Sequence, residues 1–242
     1  MLKPSIRKRQ RGVSLVELMV GIVVGLLVVA GAGAMYLSTS RTGTYALRSA
    51  KLNTEVRAIA DLMSDEIRRA TSSLRGGADN PFAIPGSTDI ATHPFGGVAG
   101  ACIVFSLDRN WSGVVGNQFY GFRVNNGVIQ MRDGGAGNTS NCNDGAWEAF
   151  TDQRNVTISR SGGLPYFSIA YQCMNSVSSA VAPGQCVVGN AVFNGAASLV
   201  EPMIETRIVT VALRGTQVND NELVFDTRHD TLVRNHRIVT KP

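Results

Sequence analysis

One ionisable side chain, Glu17, stands inside the apolar stretch VSLVELMVGIVVGLLVVAGAGAMYL that follows a basic amino terminus. A lone carboxylate near mid-bilayer costs about 2.5 to 3.5 kcal/mol on insertion scales, and less near the headgroups, so in lipid it calls for a partner. Snorkelling to the headgroups is the plain alternative. A second group lies near the carboxyl terminus, where His229 stands beside Asp226 and Asp230 with His236 seven residues on, side chains that bind metals or move protons. Alternation along a strand sends several of these to opposite faces. A third, DGGAGNTSNCNDG at residues 133 to 145, offers Asp133, Asn138, Asn141, Asn143 and Asp144 as oxygen donors. Their spacing does not match an EF-hand loop, and the composition reads as solvated turns. Asn219-Asp220-Asn221-Glu222 reads likewise as a turn between strands. The sequence contains no His-Glu-x-x-His, no Gly-x-Ser-x-Gly and no phosphate loop, so no catalytic residue, metal or cofactor is expected.

Four cysteines, Cys102, Cys142, Cys173 and Cys186, are separated by 40, 31 and 13 residues, none of them a short Cys-x-x-Cys pair. In an exported domain the even count predicts two disulfides, with three connectivities open.

These groups need elements to hold them. From Leu18 to Leu37 run 20 residues without a charge, and a helix of that length measures about 30 Å, one hydrocarbon thickness. Lys3, Arg7, Lys8, Arg9 and Arg11 precede this segment, and the next charge after it is Arg41. That asymmetry predicts a cytoplasmic start and a translocated remainder. A secretory signal peptide cut at Ala32-Gly33-Ala34, leaving Met35 first, would share the pattern, but it gains nothing from Glu17.

Farther on, Leu52, Val56, Ile59, Met63, Ile67, Ala70 and Leu74 recur every three or four residues as one apolar stripe. Arg57 with Asp61, and Asp65 with Arg69, stand at i, i+4 on the polar side. Gly76-Gly77 supplies a stop, so residues 13 to about 74 read as one helix. Beyond it, residues 101 to 107, 118 to 124, 128 to 132, 155 to 160, 166 to 173, 186 to 193, 204 to 214 and 222 to 239 read as strands. Asn126-Gly127 predicts a two-residue hairpin turn. That turn sets Val124 against Ile129 and Phe122 against Met131 on one face, with Arg123 against Gln130 on the other.

The string Arg11-Gly12-Val13-Ser14-Leu15-Val16-Glu17-Leu18 resembles the class III signal of type IV prepilins. The resemblance implies that a prepilin peptidase cuts on the cytoplasmic side after Gly12 and that the apolar segment is retained. Residues 1–12 are then a leader peptide, Val13 is the new amino terminus and N-methylation site in place of the usual phenylalanine, and Glu17 is the glutamate used in assembly. The chemistry suits these roles. Glycine exposes the scissile backbone with least hindrance, and the α-amine released at Val13 lies four residues before Glu17 on the same helix, or on a neighbouring subunit, where it can neutralise the carboxylate. Such a pair favours adding subunits in axial register.

The fold class that follows is α+β. A helix over 13–74, membrane-spanning at about 18–37, is packed on an antiparallel β-rich domain over 75–242, as in type IV pilins and the pseudopilins of type II secretion. The size, the segment RSAKLNTEVRAIADLMSDEIRRA and the ending LVRNHRI are similar to minor pilins of the PilW type. That resemblance implies a subunit of the inner membrane, crossing once with its domain in the periplasm, and later of the pilus fibre near its tip. Its implied partners are prepilin peptidase, other minor pilins, the major pilin and a tip adhesin, in support of twitching, adhesion or DNA uptake. A J-type pseudopilin is the nearest alternative, and a signal-anchored periplasmic enzyme or binding protein the alternative of another class. Nucleic acid is not an expected partner: of 23 basic and 18 acidic residues, five basic ones lie in the leader, leaving 18 against 18.

Overall fold

The computed structural model describes residues 12–76, 79–84, 87–174, 180–181 and 203–239. The chain divides into two compact units, Met1–Arg48 and Ser49–Pro242. One element, helix α1 (Leu15–Arg68), runs through both. In the first unit every described residue is exposed, including the apolar run from Val13 to Leu37, so nothing in that unit satisfies the stripe. In the second unit Leu52, Val56, Ile59, Ala60, Met63, Ser64 and Ile67 are buried, which is the amphipathic stripe read from the spacing.

The helix ends six residues before the expected Leu74, and Leu74 itself is exposed. The last turn tightens through Arg69 N to Glu66 O (3.1 Å) and Ala70 N to Ile67 O (3.0 Å), and Thr71 then takes φ of 58°. Its N–H leaves for Ser106 O at 2.7 Å. The terminal carbonyls find other donors: Arg234 N reaches Arg68 O (3.1 Å), Asn235 Nδ2 reaches Ala70 O (3.0 Å) and Asn80 Nδ2 reaches Thr71 O (2.8 Å). These caps come from distant segments and outrank the local stop at Gly76-Gly77.

Two antiparallel sheets complete the second unit. The first has the order β1 (Ala91–Phe95), β2 (Val98–Ser106), β3 (Phe119–Asn125), β4 (Val128–Arg132) and β5 (Glu148–Ala149). The hairpin register is the one the turn demanded, Phe122 opposite Met131, Arg123 opposite Gln130 and Val124 opposite Ile129, with positive φ at both Asn126 and Gly127. β1 was not anticipated, because Pro94 lies within it. As an edge strand it tolerates the missing donor, and its register slips between His93 and Phe95.

The second sheet is built on β9 (Met203–Gln217). Along one edge of β9, β7 (Phe167–Met174) pairs with Ile204–Val211 and β6 (Val156–Ser159) with Arg214–Gln217. Along the other, β11 (Arg237–Val239) pairs with Met203–Glu205 and β10 (Asp220–Leu232) with Ile208–Gln217. β8 (Ala180–Val181) extends the sheet beyond β7. The single strand expected over 222–239 is thus two, interrupted where Arg234 and Asn235 cap α1. Of the turn expected at 219–222 only Asn219 falls in the turn, with Val218; Asp220–Glu222 open β10, whose register shifts between Asp220 and Val224. The strand expected at 186–193 lies outside the described residues.

One core joins Met63 and Ile67 of α1 to Ile103, Phe105, Phe122 and Ile129 of the first sheet and to Ile158, Phe167, Val209, Val211 and Leu213 of the second. Full burial of such a side chain stabilises the fold by about 1.5 to 3 kcal/mol. Helix and sheet approach closely at Gly215, where an added Cβ would lie 2.4 Å from Val56 Cγ2. Gly215→Ala therefore destabilises the unit by about 1 to 3 kcal/mol. Combining it with Val56→Ala is expected to cost less than the sum of the single changes, as a double-mutant cycle of urea melts on the full chain in detergent will read.

Candidate functional site

At the amino-terminal site, Gly12, Val13 and Ser14 precede the first helical residue, Leu15, and Ser14 O accepts the first intrahelical bond from Leu18 N at 3.1 Å. Ser14 thus takes the N-cap position and Glu17 the third helical one, the Ser-x-x-Glu spacing of a capping box. That spacing was legible and adds a local reason for Glu17, since a carboxylate in the first turn also suits the positive end of the helix dipole. Among the described residues the Glu17 side chain makes no hydrogen bond or ion pair.

The carboxyl-terminal cluster disperses. Asp226 accepts both Arg214 Nε and Nη2 at 2.9 Å, while Asp230 accepts Thr210 Oγ1 at 2.5 Å and lies 3.4 Å from Arg228. His229, on the other face of β10, has Nδ1 3.2 Å from Asp61 Oδ1 of α1, and His236 Nδ1 lies 3.3 Å from Thr206 Oγ1. Alternation along β10 separates the groups, and among the described residues no three metal-binding side chains come together.

Cys102 and Cys142 form a disulfide, which closes a separation of 40 residues and in the chain-entropy model stabilises by about 4 kcal/mol. It removes two of the three connectivities. Cys173 lies on β7 with its backbone opposite Glu205, and Cys186 lies outside the described residues.

The disulfide pins the loop over 133–145 to the outer face of the first sheet, where Cys102, Val104, Phe119 and Cys142 form a small second core against Phe95 and Trp147. The loop is therefore not merely solvated turns: its oxygens surround a guanidinium. Arg132, wholly buried, donates to Thr139 O (2.7 Å), Asn141 O (2.8 Å), Asp144 O (3.2 Å) and Asp144 Oδ1 (2.6 Å). Asn138 Nδ2 donates inward to Phe119 O at 3.1 Å. Trp147 covers the cage, with Arg132 Cζ 4.9 Å and Arg123 Cζ 4.4 Å from its ring. Sequence reasoning missed Arg132; the signal was a strand-ending arginine immediately before a loop rich in side-chain and backbone acceptors.

Burial would raise the Asp144 pKa, but hydrogen bonds from Thr139 and the adjacent Arg132 outweigh it and hold the carboxyl below its ordinary range. A lowered folded-state pKa means that this contribution is fully present above the unfolded value of about 3.9 and is lost as pH falls through the lower folded value. In a Trp111→Phe background, Trp147 fluorescence is expected to shift as pH drops below about 4. Asp144→Asn is expected to show the shifted emission already at neutral pH and no acid step.

A family model described as prepilin peptidase-dependent protein B matches residues 45–233, and one described as the prokaryotic N-terminal methylation motif matches residues 7–33. No curated protein and no solved structure matches the chain. The first model spans the stripe of α1, the Arg132 cage and both sheets apart from β11, while the second spans Gly12, Val13 and Glu17. The chain is a type IV pilin-like protein and belongs to the prepilin peptidase-dependent protein B family.

Proposed function

We propose that the chain is a minor pilin of the PilW type that helps prime pilus assembly, near the fibre tip, together with other minor pilins, the major pilin and a tip adhesin. The observation that carries this reading is the pairing of an exposed apolar helix, long enough to cross a membrane, with a carboxylate that has no partner among the described residues. In this reading prepilin peptidase removes residues 1–12, and the methylated amine of Val13 and the carboxylate of Glu17 neutralise each other within or between subunits. The helix crosses the inner membrane once, with its basic leader inside, and the second unit lies in the periplasm until the subunit joins the fibre. The role is structural and not enzymatic, in keeping with the dispersal of the His229 cluster. Support for the tip position and the PilW type comes from chain size and helix sequence, not from geometry.

Intact mass and amino-terminal sequencing of the protein from cells with and without prepilin peptidase test the processing. A peptidase-dependent start at Val13, one methyl heavier, is the expected result; a start at Met35 in both strains would overturn it. Glu17→Ala is expected to leave cleavage intact and the subunit in the membrane while surface pili fall to the level of the deletion strain, counted by microscopy. A deletion that spares pili and stops protein secretion would assign the chain to the J-type pseudopilins instead.

A further inference from the structure

We propose that a basic cleft beside the carboxyl end of α1 binds an acidic segment of another polypeptide. The cleft, of about 320 Å³, lies within the second unit and is lined by Ser73 and Arg75 after α1, Ile204 of β9, and Arg234 and His236 between β10 and β11. Most other arginines of this unit have a partner, as Arg68 has Asp65, Arg109 has Glu66 and Asp133, and Arg214 has Asp226. The guanidiniums of Arg75 and Arg234 have none among the described residues, and no aspartate or glutamate lines the cleft they share. Two like charges facing one cleft disfavour each other until an anion joins them.

The hydrogen-bonding capacity left in the cleft is that of donors. The carbonyls that a helix end would offer are taken, Arg68 O by Arg234 N, Ala70 O by Asn235 Nδ2 and Thr71 O by Asn80 Nδ2. Asn80 Oδ1 is taken by Phe82 N at 2.9 Å. Ser73 Oγ accepts Arg75 N at 3.2 Å, which leaves the hydroxyl proton to donate. Two guanidinium forks and a hydroxyl form a donor set for oxyanions, and each fork matches a carboxylate with two parallel bonds. The volume is that of about ten water molecules, so a lone phosphate would leave most of it wet. Ile204, nearly half exposed, gives the same cleft an apolar wall, which suits the carbon chain between two carboxylates of a peptide. A nucleic-acid backbone is a poor match, because basic and acidic residues balance beyond the leader. The fitting segment therefore carries two carboxylates, one for each arginine. The cleft needs only the second unit, whichever assembly the subunit joins.

An array of short synthetic peptides with two aspartates or glutamates at varied spacing, each beside its asparagine or glutamine counterpart, tests the cleft with the full chain in detergent. The best acidic peptides are expected to bind about tenfold more tightly than their amide counterparts, and Arg75→Gln or Arg234→Gln to remove most of that preference. Neither guanidinium is bonded within the described fold, so both variants are expected to melt in urea as the parent chain does. Arg160→Gln removes another exposed arginine, one that does not line the cleft, and is expected to leave the preference unchanged. Equal losses from all three variants would mean that net charge alone attracts the peptides and would overturn the proposal, as would the absence of any preference for acidic peptides. Inorganic phosphate that displaces the best peptide while binding more tightly than it would give the cleft to phosphate and overturn the polypeptide occupant.

Discussion

The carboxyl end of α1 is the joint on which the second unit depends. A helix that stops inside a protein leaves carbonyls to be satisfied, and here they are met by backbone and side chains from beyond β10 and from the segment before β1. Arg207 of β9 is wholly buried beside this end, donating to Asp89, to Thr71 Oγ1 at 3.2 Å and to Asn235 O. A cation at the negative end of the helix dipole is favourable, and its hydrogen bonds tie together helix, sheet and return segment. A buried ion pair is weak evidence for net stability, because desolvation offsets the attraction. What this one supplies is position: it sets where α1 stops relative to β9, and so which helical residues meet Gly215.

Arg132 uses the same physics on the opposite side of the first sheet. A loop of acceptors without a central cation would have to expose them to water. The guanidinium, planar and with five donors, lets the loop close over the sheet as a lid and bury the disulfide beneath it. The two large buried cations thus organise irregular chain, where no ladder of backbone bonds is available.

How much of this was legible depended on the range of the cause. The helix stripe from Leu52 to Ile67 and the Asn126-Gly127 register follow from periods and turn chemistry that act within a few residues, and both stand as read. Leu74 failed because the helix is ended by Thr71, Asn80 and Asn235, the last of them 165 residues along the chain from Ala70, whose carbonyl it caps. Pro94 hid β1, and Arg132 was missed because an arginine before an acceptor-rich loop does not by itself show that the loop's carbonyls turn inward. At the amino-terminal site, Gly12, Val13 and Glu17 could be read together because they fall within a few consecutive residues.

The arrangement of β9 has a kinetic meaning. It is synthesised after α1 and the whole first sheet, yet β6, β7, β10 and β11 all pair with it, and the stripe of α1 packs against it. Contacts of such long sequence separation form slowly, because loop closure must precede the stabilisation they bring. An emerging chain therefore carries a finished helix whose apolar flank stays uncovered on its β9 side until that strand arrives, and the domain closes only once β9 has been made.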